Sequence, residues 1–112
     1  MYWQDNNKPD KAIEEYQLLL LNADPTYYVA YFNIGYIYLN MIKDYQKAIE
    51  NFNTTIEMKN NYYQAFYNRG YAFEMLGDYE SARQNYSDAL NILPNYSLAV
   101  AGLNRLDKKN EE

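Results

Sequence analysis

Apolar side chains recur along this chain at spacings of three and four, the signature of helices with one buried face. Tyr45, Ala48, Ile49, Phe52 and Ile56 form one such stripe, and Tyr79, Ala82, Tyr86, Ala89 and Leu90 form a second. A shorter set precedes each: Tyr31, Ile34 and Tyr38 before the first, Phe66 and Phe73 before the second. Short polar turns separate the members of each pair, Lys43-Asp44 in one and Gly77-Asp78 in the other. Gly77 suits the left-handed residue that ends a helix. Asp44 and Asp78 suit the cap of the next, where a carboxylate accepts from an unpaired backbone N–H. The pattern predicts two helical hairpins, and the chain as a whole reads as all-α.

The two hairpins are copies of each other. Gly35 matches Gly70 at a separation of 35, and downstream the separation settles at 34, with Asp44 on Asp78, Tyr45 on Tyr79, Ala48 on Ala82, Phe52 on Tyr86, Ile56 on Leu90 and Asn60 on Pro94. One residue inserted near Ile42 accounts for the change. Gly35 and Gly70 are expected where the helices of a hairpin cross closely, with Ala48 and Ala82 on the partner helix. A branched Cβ there would push the axes beyond the roughly 8–10 Å of packed helices. Pro25 and Pro94 mark helix ends, because proline lacks an N–H and restricts the residue before it.

These residues resemble the tetratricopeptide repeat family, whose pattern is W-x2-L-G-x2-Y, then A-x3-F, then P. Here it reads Tyr31-x2-Ile34-Gly35-x2-Tyr38, then Ala48-x3-Phe52, with Asn60 in place of the proline. The next unit reads Phe66-x2-Arg69-Gly70-x2-Phe73, Ala82-x3-Tyr86 and Pro94, with Arg69 at the usual leucine site. The resemblance implies a right-handed superhelical α-solenoid of antiparallel helix hairpins, about 2.5 units plus a C-terminal cap helix. The whole chain is expected to be one array: a partial repeat over 1–26, repeats over 27–62 and 63–96, and a cap helix with a polar tail over 97–112. Ala12, Ile13 and Tyr16 look like the second helix of the incomplete unit, with Trp3 near the end of its first. In the cap helix, Leu98, Leu103 and Leu106 are expected to face back onto the array, while Arg105, Lys108 and Lys109 suit a helix C-terminus.

The first helix of each unit lines the concave side in this family, where a peptide usually binds. The matching groove positions are Val29, Phe32, Asn33, Tyr36, Leu39 and Asn40 in one unit, and Gln64, Tyr67, Asn68, Tyr71, Glu74 and Met75 in the next. These are also the positions left once the packing stripe is removed. Phe32, Asn33, Tyr36, Asn40, Gln64, Tyr67, Asn68, Tyr71 and Glu74 are the candidate site. Asparagine side chains donate to and accept from peptide backbone, and aromatic rings give rigid contact area. The plainer reading of the tyrosines, half-buried packing against neighbouring helices, stands beside it. Some family members clamp a terminal carboxylate with Lys and Arg. The corresponding places here hold Phe32, Asn33, Tyr67 and Asn68, so tight binding of acidic chaperone tails is not expected.

Composition narrows the alternatives. The chain is 48% hydrophobic, too apolar for disorder, and 15 of its 20 aromatics are tyrosine. A net charge of −5 with no basic run argues against nucleic acid and anionic membrane surfaces as partners, and no apolar run reaches a membrane span. With no Cys or His there is no thiol chemistry and no histidine base or metal ligand. Ser81, Ser87 and Ser97 lack an activating base, and the four glycines are isolated. The expectation is a non-enzymatic protein-interaction scaffold without cofactors, its partner a protein or peptide. Two other readings remain. One is a self-association module, forming a homodimer through Trp3, Tyr16, Leu19 and Leu20 at the exposed N-terminal helix face. The other is a fragment or engineered array with no ligand of its own.

Overall fold

The computed structural model describes residues 9–22 and 27–111. Trp3 and Pro25 fall outside that range, as do the side chains of Leu19 and Leu20, and with them most of the surface expected for self-association. Among the described residues the helices are α1 (Pro9–Asn22), α2 (Tyr28–Ile37), α3 (Tyr45–Met58), α4 (Tyr63–Met75), α5 (Tyr79–Ile92) and α6 (Ser97–Glu111). None is long and apolar enough to cross a membrane.

Hairpins α2–α3 and α4–α5 stack in chain order, α1 packs on α2, and α6 packs on α5 and α4. The result is an elongated all-α solenoid of 47 × 27 × 21 Å. Its core is divided accordingly, because each unit buries its apolar face only against neighbours. Ala12, Ile13, Ile34 and Ile37 close the first junction, Leu39, Ala48, Ile49, Phe52 and Ala72 the second, and Ala82, Tyr86, Ala89, Ala99 and Leu106 the third.

The glycines do what the spacing implied, with an aromatic ring as the close neighbour. A Cβ on Gly35 would stand 2.7 Å from Phe52 Cε1, and one on Gly70 would stand 3.0 Å from Tyr86 Cδ1. Gly102 meets the other side of the same tyrosine, where a Cβ would stand 2.6 Å from Cε2. The Tyr86 ring thus lies between two glycines and is fully buried.

The turns also follow the sequence. Asp44 accepts from the Lys47 N–H at 3.1 Å, and Asp78 accepts from the Ser81 N–H at 3.2 Å. In the second hairpin Gly77 takes φ +84°, and the Asp78 N–H returns to the Phe73 carbonyl at 3.0 Å. In the first, the Asp44 N–H returns to the corresponding carbonyl, that of Tyr38, at 2.9 Å. It does so across one extra residue. The insertion is absorbed by a π-helical turn, Tyr38–Ile42, after which Lys43 takes φ 66° in the role that Gly77 plays.

Candidate functional site

Alternate helices α2, α4 and α6 share one side of the stack and enclose an open cavity of about 490 Å³. Phe32, Tyr36 and Asn40 reach it from α2 and its π turn, and Gln64, Tyr67, Asn68 and Tyr71 from α4. These seven come from the residues singled out by helical geometry. Asn33 is half-buried and does not line the cavity, and Glu74 does not open onto it.

Three further lining residues come from the C-terminal end: Tyr96, Leu98 and Arg105. Leu98 is 49% exposed rather than turned back onto the array, and Arg105, expected only to suit the helix C-terminus, brings a cation into a wall whose candidate residues include no Lys or Arg. The reason is register. Adding 34 to Tyr62, Gln64 and Tyr71 gives Tyr96, Leu98 and Arg105. Helix α6 repeats the groove-lining pattern of α4 as well as covering its hairpin, so extending the period one more step identifies all three.

The aromatic wall is held by edge-to-face contacts that recur from unit to unit. Tyr62 meets Tyr28 at 5.5 Å and 72°, and Phe32 at 5.1 Å and 74°. Tyr96 meets Tyr63 at 4.8 Å and 73°, and Tyr67 at 5.6 Å and 77°. Each such pair contributes about 0.5–1.5 kcal/mol beyond area burial. Phe32 and Tyr67 are therefore each held by a neighbouring ring. Tyr67 in turn stacks on Tyr71 at 6.5 Å and 18°. Burial raises the Tyr67 phenol, against the lowering effect of Arg105, so it stays protonated as a donor.

The amides are partly committed. Asn68 Nδ2 donates to the Gln64 carbonyl at 2.7 Å, and Asn40 Nδ2 donates to the Tyr36 carbonyl at 3.3 Å. Their side-chain oxygens stay available as acceptors. Gln64 Oε1 is buried and accepts no hydrogen bond among the described residues.

Behind this wall sits a charged group. The Glu74 side chain is 3% exposed and Arg105 is 41% exposed. Arg105 Nε donates to Glu74 Oε2 and Nη2 to Oε1, both at 3.0 Å, and Tyr86 donates its hydroxyl to Oε1 at 2.6 Å. Burial pushes the Glu74 carboxyl up, but hydrogen bonds from Arg105 and Tyr86, with the charge of Arg105, outweigh that and hold it below its ordinary 4.5. Arg105 also lies over the Tyr71 ring, 5.8 Å from its centroid. Arg69, at the departure from the family's leucine, points away into the convex packing. It donates to Asn85 Oδ1 at 2.7 Å and to Asn53 Oδ1 at 2.8 Å, joining successive hairpins.

Two models of the tetratricopeptide repeat match the chain, at residues 28–62 and 63–96. Among solved structures, the first TPR of Spaghetti (RPAP3) bound to the HSP90 peptide SRMEEVD is 25% identical with a TM-score of 0.88, covering 98% of this chain and 86% of that one. The second TPR domain of human RPAP3, in complex with the HSP70 peptide SGPTIEEVD, is 28% identical with a TM-score of 0.84, covering 94% and 86%. The Arabidopsis OM64 TPR domain, 21% identical with a TM-score of 0.87 over 96% and 87%, shares the fold. A search of curated protein sequences returns no match.

Proposed function

The chain belongs to the tetratricopeptide repeat family, and from that premise we propose that it is a protein-interaction scaffold holding a peptide segment in the cavity between α2, α4 and α6. The observation that carries this reading is the cavity wall. Five aromatic side chains, Phe32, Tyr36, Tyr67, Tyr71 and Tyr96, stand beside Asn40, Gln64 and Asn68 in one open groove. Rings held by their neighbours lose little entropy on binding, and amide groups satisfy the donors and acceptors of an extended backbone. Two relatives of the same fold carry peptides, the HSP90 and HSP70 segments of the RPAP3 domains.

The test is selection from a displayed peptide library, followed by calorimetry of the selected sequences. A Tyr36→Ala/Tyr71→Ala double variant is expected to bind them at least tenfold more weakly, with its circular dichroism spectrum unchanged. Equal binding by a folded double variant would move the site elsewhere.

A further inference from the structure

Arg105 is the one cationic side chain among the described residues lining the groove, and its chemistry toward a ligand depends on what it already holds. A guanidinium recognises a carboxylate best through two parallel N–H donors. Here Nε and Nη2 both go to the Glu74 carboxylate, whose other contact is the Tyr86 hydroxyl. Glu74 is anchored at the back of the wall, sealed from water, while Arg105 reaches it from the groove side. That pair takes the Nε–Nη2 edge and neutralises the guanidinium, so a ligand carboxylate is left only the Nη1–Nη2 edge of an already compensated cation, within reach of the like charge of Glu74.

We propose that Glu74 sets the ligand class of the groove: by keeping Arg105 in a two-bonded pair it makes the site one for an internal, uncharged peptide segment and not for a free C-terminal carboxylate. This rests on the groove reading above. An incoming chain then meets the aromatic and amide lining with Leu98, and the guanidinium that lies over Tyr71. Glu74 is a specificity-determining residue that acts through another, and the consequence of removing it is a gain of binding.

The experiment has two arms on the full chain. In the first, the Arg105 Nε–Hε resonance is followed by NMR during titration with inorganic phosphate. It is expected to stay in place in the wild type and to shift in Glu74→Gln, where the amide nitrogen cannot accept from Nε. A wild-type resonance that shifts with phosphate overturns the proposal and leaves the groove reading untouched. In the second arm, the heptapeptide SRMEEVD, with a free or an amidated C-terminus, is titrated by calorimetry. Glu74→Gln is expected to bind the free acid at least tenfold better than the wild type does. The gain should vanish with the amidated peptide and in Glu74→Gln/Arg105→Gln. A folded Glu74→Gln whose Arg105 answers phosphate but gains no peptide affinity overturns the proposal by way of the groove reading. Should Glu74→Gln not fold, Arg105→Gln decides: it is expected to change free-acid binding less than twofold, and a tenfold loss overturns the proposal.

Discussion

Where the first hairpin meets the second, Leu39, Phe52 and Tyr71 pack within one apolar cluster. Where the second meets α6, the corresponding positions hold Glu74, Tyr86 and Arg105, joined by hydrogen bonds. The correspondence is by register, 35 residues from Leu39 to Glu74 and 34 for each of the other two. Phe52 and Tyr86 are both at 0% exposure, and each presses on a glycine. The same steric frame thus tolerates opposite chemistry, provided the polar version is internally satisfied. What changes is the kind of force. The apolar junction depends on buried area and not on the charge of any group. The polar one depends on three groups meeting at defined angles, and offsets desolvation with directional bonds.

Four substitutions break or sharpen this contrast, from the largest expected effect to the smallest. Phe52→Ala empties the apolar junction and should lower the unfolding free energy by about 3–5 kcal/mol, read by urea titration. A loss under about 1 kcal/mol would mean that the junction collapses to fill the space. Arg105→Met strands the Glu74 carboxylate. A broken buried pair costs about 3–5 kcal/mol, and the partial exposure of Arg105 reduces this to about 2–3. That penalty is pH-dependent. The folded-state pKa of Glu74 lies below its ordinary 4.5, so the stabilisation is complete above that value and fades as pH falls through the folded one. The gap between wild type and Arg105→Met should therefore narrow as pH falls below 4.5, and a gap independent of pH would remove the ion pair from the explanation. Tyr86→Phe installs the residue of the first junction in the second, and loses a hydrogen bond to a charged acceptor. Its expected cost is about 1.5–2 kcal/mol by thermal unfolding, whereas a neutral result would show that Arg105 alone satisfies Glu74. Lys43→Gly relieves a left-handed backbone and makes the first turn like the second. It should stabilise by about 0.5 kcal/mol, or about 2–4 °C in Tm, and a destabilised variant would refute the equivalence of Lys43 and Gly77.

Much of this architecture was legible in the sequence, because helical stripes, cap residues and small crossing residues are local signals. Asp44, Asp78, Gly77 and the two hairpins follow from spacing alone. The groove rings Phe32, Tyr36, Tyr67 and Tyr71 were equally readable, since subtracting the packing face from a helix leaves the other face. Reading α6 as a cap hid Leu98 and Arg105, although one more repeat of the period places both. Glu74 was harder. Its side chain is buried by a hydroxyl from α5 and a guanidinium from α6, 12 and 31 residues away, and no pattern within α4 announces that meeting. On its own helix it reads as a polar groove residue.

The π turn at Tyr38–Ile42 separates two lengths that repeat proteins usually keep equal. Counted along the chain, the interval between the hairpins is 35 residues before the turn and 34 after it. Counted in space, both hairpins close on the same carbonyl and cap with the same aspartate. A gene can gain or lose a codon at this point while every downstream unit keeps its phase, because the helix takes up the change as a wider coil instead of passing it on. Residue arithmetic is thereby free to drift where the geometry of stacking is not.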